Sequence, residues 1–220
     1  MQEALKTDVV VVGAGPAGLA MAIELAQTSK CQVYVLEKGQ SVGNHIISGC
    51  VMDPSALDIL LPDWRSEFVE MCEVTQDLFY YLTESQAVSL PHLPHATQKG
   101  CYVLSLSKLT RYMAEKAQQL GVEVLTGYAA SKLLIKNKRV YGVKTGDVGL
   151  NEDGSQGDQY QEGIEIHAGC VVLAEGAKGV LAEEAIALFN LRQQPMTYGL
   201  GVKEVWRVSS SVHEPGKVIH

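Results

Sequence analysis

The residues with the most chemical content are Gly13, Ala14, Gly15, Pro16, Ala17 and Gly18, together with Glu37, which lies 19 positions beyond the last of these glycines. A GxGxxG turn that opens a helix leaves unpaired amides and the positive end of a helix dipole facing outward, which suits the pyrophosphate of a dinucleotide. Each glycine has its own part. Gly13 permits the tight turn, Gly15 lets the backbone approach the phosphates, and Gly18 lets helix and strand pack closely. A carboxylate about 20 residues farther on grips a ribose hydroxyl, and Glu37 stands near that spacing. It would also repel the ribose phosphate of NADP, which normally meets an arginine. A glycine-rich turn in an ordinary α/β core with a merely solvated Glu37 would require no such order of parts.

Other candidates offer less. His92 and His95, in PHLPH, have a spacing that could suit a metal, but no third ligand is near and a proline-framed surface loop is the better reading. Cys31, Cys50, Cys72, Cys101 and Cys170 are scattered without a CxxC pair, so neither a disulfide framework nor a metal or cluster site can be read from them. They read as buried thiols of a reducing compartment. No catalytic residue and no metal ligand set is assigned.

The elements that must position the glycine turn are legible around it. DVVVV suits a strand buried on both faces, MAIELAQ a helix packed back on it, and QVYVLEK a second strand ending in Glu37. Residues 40–100 change character, with Pro54, Pro62, Pro91 and Pro94, Trp64 and the pair Tyr80–Tyr81, and read as an irregular insert. Regularity returns with the strand YVLSL, a helix from Ser107 through Gln119 and the strand GVEVLTG. SKLLIKNKRVYGVKTGDVGL reads as a β-meander turning at Asn137 and Lys138, and residues 151–159 as a mobile turn. IEIHAGCVVLAEGAKG then supplies a strand and a second glycine loop, and LAEEAIALFNL a helix.

At 220 residues the chain is one large domain or a domain with an insertion. A net charge of −7, from 18 basic and 25 acidic residues with no basic block, gives nucleic-acid binding no electrostatic support. Met1 to Thr7 is too short and polar for a signal peptide, so a cytoplasmic bacterial setting is expected. No stretch approaches the roughly 18 apolar residues of a spanning helix, so any membrane contact would be interfacial.

The order of elements is similar to that of the glutathione-reductase-like FAD family, in which a meander crosses over the dinucleotide domain and returns to its sheet. Pro16 and Ala17 between the glycines, and Glu37–Lys38 before a Gly43 loop, also look like the flavoprotein form of the motif, placing FAD ahead of NAD. Within that family, EKGQSVGNHIISGCVMDPSALDILLPDWRSE, GYAA at 127–130, TGDVGLNEDGS, EIHAGCVVLAEGAKGVLAE, and PMTYGLGVKEVW followed by PGKV resemble the electron transfer flavoprotein-ubiquinone oxidoreductases, from Asp8 to His220.

The resemblance implies an α/β, Rossmann-type FAD-binding fold with a β-meander and an inserted, incomplete quinone-binding region. Residues 1–45 and 100–190 would form the FAD-binding domain, and 46–99 with 191–220 part of a ubiquinone- and membrane-contacting domain. It implies electron transfer from reduced electron transfer flavoprotein to ubiquinone, on the cytoplasmic face of a bacterial inner membrane or on the mitochondrial inner membrane, by a monotopic protein carrying FAD and a 4Fe-4S cluster. The cluster domain and a second FAD-contacting glycine motif are missing from the match, so the chain reads as an N-terminal fragment that alone would be inactive. Alternatives are a related FAD-dependent dehydrogenase, a geranylgeranyl-reductase-like flavoenzyme, or an inactive remnant.

By the same resemblance Gly13 to Gly18 face the pyrophosphate, and Glu37 the adenosine ribose with Lys38 beside it. Gly43, His45, Ser48 and Gly49 lead toward the flavin, Tyr128 and Ala129 pass the adenine, and Ala174, Glu175 and Gly176 close over the dinucleotide. His45 could donate a hydrogen bond or relay a proton, or be a positioned, non-catalytic imidazole. Gly176 and Gly179 also suit a turn needing positive φ. The apolar residues Val51, Met52, Leu57, Ile59, Leu60, Leu61 and Trp64 match a membrane-contacting segment, whereas their spacing by itself favours a core.

Overall fold

The computed structural model describes residues 4–91, 97–151, 153 and 155–220, and His92 and His95 lie outside the described residues. The chain runs β1 (Leu5–Val12), α1 (Pro16–Thr28) and β2 (Val33–Glu37). It continues through β3 (Cys50–Met52), α2 (Ser55–Leu60), α3 (Trp64–Glu67), β4 (Met71–Glu73), β5 (Gln76–Leu82), β6 (Ala87–Leu90) and β7 (Tyr102–Leu104). Then come α4 (Leu106–Gln119), β8 (Glu123–Thr126), β9 (Ala130–Lys136), β10 (Arg139–Thr145), β11 (Val148–Leu150), β12 (Gln156–Gln161), β13 (Glu165–Leu173), α5 (Val180–Phe189) and β14 (Lys217–Ile219). Two compact units result, one from Met1–Ile46 with Thr110–Tyr198, the other from Ile47–Leu109 with Gly199–His220.

The first unit is built on a six-stranded sheet of order β8-β2-β1-β13-β10-β9. Its four strands β8, β2, β1 and β13 are parallel, and β10 runs antiparallel between β13 and β9. The valines of β1 and β2 explain why this sheet forms. Val10, Val11 and Val35 are fully buried, and each such side chain contributes about 1.5–3 kcal/mol relative to an exposed one. The first helix packs by its Gly18, Leu19, Ala22 and Ile23 face, the i, i+4 stripe expected of a crossover helix.

The meander forms as its sequence suggests. Asn137 and Lys138 join β9 to β10 as a two-residue hairpin with both φ values positive, the geometry of a type I′ turn. Gly142 is where β10 crosses onto β13, for a Cβ there would lie 2.1 Å from the Ile166 carbonyl oxygen. The expected mobile turn is replaced in part by structure, because Gln156–Gln161 pairs with Val148–Leu150 as a two-stranded ribbon.

The second unit corrects the reading of residues 40–100 as irregular. Two small sheets form there, β3-β7-β4 and β14-β5-β6. Strands of three residues show no readable alternation, and β3 finds its partner β7 some fifty residues along the chain. Tyr102–Leu104, expected with the dinucleotide domain, pairs here with β3 and β4. Trp64 is fully buried, and Leu57, Leu61, Phe68 and Leu104 are buried in the same unit.

Asp58 accepts the Trp64 Nε1–H at 2.7 Å and the Arg65 guanidinium, whose Nε reaches the Tyr102 hydroxyl at 3.2 Å. Trp64 and Tyr102 meet edge to face at 5.5 Å. Of the apolar run at residues 50–64, Leu57, Leu61 and Trp64 are buried and Met52 and Leu60 half-buried. Val51 and Ile59 are its exposed members, Ile59 at 82%.

Candidate functional site

Three parallel strands end at one edge of the first unit's sheet, and their last residues build the turn. Gly13 donates its N–H to Leu36 C=O at 2.8 Å, and Ala174 donates to Val12 C=O at 2.8 Å, tying the ends of β1, β2 and β13 together. Ligand crevices in open parallel sheets lie at such carboxyl-terminal strand ends.

Gly13 and Gly18 meet the steric demands that the sequence suggests, with reasons visible in atoms. Gly13 adopts φ +104°, and a Cβ on it would lie 2.4 Å from the Ala174 carbonyl oxygen. Gly18 lies under the turn, where a Cβ would come within 2.0 Å of the Gly13 carbonyl oxygen. A Cβ on Gly15 would meet nothing within 4 Å, so the side of the residue that a side chain would occupy is open. Gly15 is also the N-cap of α1, and no side chain caps the helix, so its first-turn amides are left for another acceptor.

A cavity of about 510 Å³ opens over this turn, within the volume range of small-molecule sites. Of the residues singled out in the sequence, Gly13, Gly15, Pro16, Ala17, Glu37, Lys38, His45, Tyr128, Ala129, Ala174, Glu175 and Gly176 line it. Ala14 is buried just behind and donates its N–H to Glu37 Oε2 at 3.2 Å. The other Glu37 oxygen accepts the Gly39 N–H at 2.7 Å, and His45 Nδ1 stands 3.9 Å from it. Glu37 thus ties the glycine turn to the loop after β2 while keeping an edge toward the cavity. The Glu37 carbonyl accepts the Tyr128 N–H at 3.0 Å, which fixes the 127–129 loop against the same strand end.

Two placements differ from expectation. The Glu175 carboxylate turns to α5 and accepts the Leu181 and Ala182 amides at 3.3 and 2.8 Å, so it caps that helix. Gly179 has no positive φ. Glycine suits the position because a Cβ would lie 2.7 Å from the Glu175 Cβ, whereas Gly176 does adopt φ +83°.

Gly43, buried and at φ +83°, bends the chain ahead of His45 but does not line the cavity. Ser48 and Gly49 belong to the second unit, where Ser48 Oγ meets Ser105 Oγ and both carbonyls accept from Lys203 Nζ. Lys178, Ile46 and Val180 also line the cavity and were not singled out in the sequence. Lys178 had only its place in the second glycine loop to mark it.

The five cysteines are free thiols, but contrary to expectation none is buried, Cys31 and Cys170 being exposed and the other three half-buried. Partial burial pushes the Cys50 and Cys101 thiols up, away from the thiolate form. Among the described residues no group of three or more His, Cys, Asp or Glu side chains is placed to hold a metal ion.

Comparison with known proteins agrees with this geometry. The mitochondrial electron transfer flavoprotein-ubiquinone oxidoreductase of Oryza sativa subsp. japonica is 47% identical over 230 residues, covering 100% of this chain and 40% of the relative. The probable electron transfer flavoprotein-ubiquinone oxidoreductase of Acinetobacter baylyi is 39% identical over 233 residues, covering 100% of this chain and 41% of its own length. The chain thus spans about two fifths of the length of these curated relatives.

Among solved structures, a geranylgeranyl bacteriochlorophyll reductase-like protein from Thermoplasma acidophilum superposes with a TM-score of 0.57 at 23% identity, over 78% of this chain and 40% of that one. The myxobacterial chondrochloren halogenase CndH, a variant of FAD-dependent halogenases, does so with a TM-score of 0.59 at 18% identity, over 80% and 38%. At these identities the likeness is one of fold. The pattern shared by pyridine nucleotide-disulphide oxidoreductases matches residues 7–183, which take in the glycine turn, Glu37, the meander and the loop before α5, and the chain belongs to that family.

Proposed function

We propose that this chain is the dinucleotide-holding part of an electron transfer flavoprotein-ubiquinone oxidoreductase, with FAD in the cavity over the glycine turn. The observation that carries the reading is similarity that runs through both units, 47% identical over the whole chain, to a relative bearing that name. The cavity supports it. The open face of Gly15, the uncapped amides of α1 and the inward edge of Glu37 are what a pyrophosphate and a ribose require.

FAD, when bound, supplies a group able to take electrons from one carrier and hand them to another, so no protein acid or base need be invoked for the transfer itself. The residues of this chain bind and orient. Gly13 to Gly18 take the phosphates, and Glu37, with Lys38 and His45 beside it, takes the adenosine ribose. Tyr128 and Ala129 form the adenine side, and Ala174 to Gly176 the opposing wall. His45 stands at the Glu37 end of the cavity, which favours orientation of the ribose over proton relay to a quinone.

Reduced electron transfer flavoprotein and ubiquinone are the partners this reading names, with the second unit meeting an inner-membrane surface through its exposed apolar residues, Ile59 among them. No helix among the described residues is long and apolar enough to cross a membrane. For a 4Fe-4S cluster the described residues offer no ligand set, and no step is assigned to one.

The test is Gly15→Val. Its Cβ would enter open space over the turn and carry the branched side chain to where the phosphate must lie, so flavin should be lost while the fold is kept. Flavin absorbance of the reconstituted protein reads the first and circular dichroism the second. Flavin-replete Gly15→Val protein would overturn the cofactor assignment, and in the full-length protein, bound flavin that reduced electron transfer flavoprotein fails to reduce under anaerobic conditions would overturn the reaction.

A further inference from the structure

The charged groups around the cavity are Glu37, Lys38, His45, Glu175 and Lys178. Both carboxylates are already engaged by main-chain amides, Glu37 by Ala14 and Gly39 and Glu175 by Leu181 and Ala182. Among the described residues neither lysine is paired with a carboxylate. The cavity therefore keeps two uncommitted cations, and a pyrophosphate diester carries two negative charges.

Lys178 is the more informative of the two. Its Nζ stands 5.4 Å from the ring centroid of Tyr198, a weak cation–π resting place at an exposed site. The loop that carries it is fixed on both sides. Gly176 makes the turn at φ +83°, and Glu175 is folded back on α5 in the space that Gly179 leaves open, so that Lys178 rather than Glu175 is the charged head free to move in the cavity. A hydrogen bond from a lysine to a phosphate oxygen is roughly twice as strong as a neutral one, so an anion in the cavity outcompetes the ring.

Resting on the reading of this cavity as a dinucleotide site, we propose that Lys178 is a phosphate-binding residue, parked on Tyr198 and drawn onto the pyrophosphate when the dinucleotide enters. Lys178 and the uncapped end of α1 line the same cavity, so the phosphates would be held by both. Retention of the cofactor's phosphates then depends on a residue well outside the GxGxxG turn.

ADP and adenosine separate the phosphate contribution from the rest, and both can be titrated calorimetrically against the protein. Lys178→Ala should weaken ADP about tenfold, the scale of one hydrogen bond to a charged group, and leave adenosine unchanged. The deficit should shrink at high salt, and Lys178→Arg should restore most of the affinity. Tyr198→Leu, which removes only the resting place, should bind ADP as well as the parent or better.

Equal ADP affinity in Lys178→Ala and parent, or a matching loss for adenosine, would overturn the proposal. Gly15→Val tells that failure from failure of the underlying reading. If it abolishes ADP binding while Lys178→Ala changes nothing, the cavity stands and the role of Lys178 falls. If it leaves ADP bound, the cavity is not the phosphate site and both readings fall.

Discussion

The two units of this chain are stabilised in different ways. In the dinucleotide unit, long parallel strands of valine and leucine are buried on both faces, and the turn at their ends tolerates no side chain at two of its glycines. In the second unit, strands of three to seven residues enclose a core that includes one tryptophan, whose polar edge is anchored by Asp58. The first unit is over-determined by its backbone, and the second hangs on a few side chains. A substitution that adds one carbon should therefore damage the first, and one that removes atoms should damage the second.

The largest effects expected test both halves of that contrast. Trp64→Ala removes a fully buried indole and should cost about 3–5 kcal/mol, read as a drop in the urea midpoint. Gly18→Ala adds a single methyl, yet it must displace a backbone carbonyl 2.0 Å away. It should cost about 3 kcal/mol or more, beyond ordinary overpacking. Gly15→Ala, three residues earlier with nothing within 4 Å, should change stability by less than about 0.5 kcal/mol. If Gly18→Ala melts like the parent, the close approach at this turn does not exist as described.

These variants also mark what the sequence made legible. Gly13 to Gly18 and Glu37 stand out because phosphate and ribose chemistry dictates residue type and spacing locally, within one strand, one helix and the next strand. The Asn137–Lys138 turn is readable for the same reason. The core around Trp64 is not readable, because β3, β4 and β7 are too short to show a period, and Asp58, Trp64 and Arg65 meet across Pro62 rather than along one helix face. Burial of Leu57 and Leu61 beside exposed Ile59 is likewise invisible in the sequence LDILL. Glu175 lines the cavity, and only the backbone of α5 shows that its carboxylate is also a helix cap.

Within residues 50–64 a smaller contrast separates core from surface. Leu61→Glu places a carboxylate at a site 8% exposed and should abolish cooperative unfolding of the second unit. Ile59→Glu alters a side chain that is 82% exposed and should leave stability within about 0.5 kcal/mol of the parent. If the second unit meets a membrane through this tip, Ile59→Glu should still reduce co-sedimentation with liposomes. Undiminished lipid binding by a folded Ile59→Glu protein would remove this segment from the proposed membrane surface.

The smallest expected effect concerns acid. Hydrogen bonds from Arg65 and Trp64 hold the Asp58 carboxyl below its usual range, and a hydrogen bond from the Gly163 amide, with one from the Tyr160 hydroxyl, does the same for Asp147 in the first unit. A carboxyl whose folded pKa is depressed stabilises the folded state above its unfolded pKa, and that contribution is lost as the pH falls through the folded value. Both groups should therefore add to acid lability below about pH 4, but in different units.

The emission of Trp64, buried beside Asp58, reports the second unit, whereas Trp206 is 77% exposed and is already solvated. Asp58→Asn should lower the urea midpoint at pH 7 and flatten its fall below about pH 4 as read by the buried tryptophan, because the group that titrates is gone while the amide oxygen still accepts one bond. Asp147→Asn should leave that tryptophan-detected slope as it is in the parent. An unchanged slope in Asp58→Asn would mean that the carboxylate does not hold the indole and guanidinium together, and that the second unit rests on packing alone.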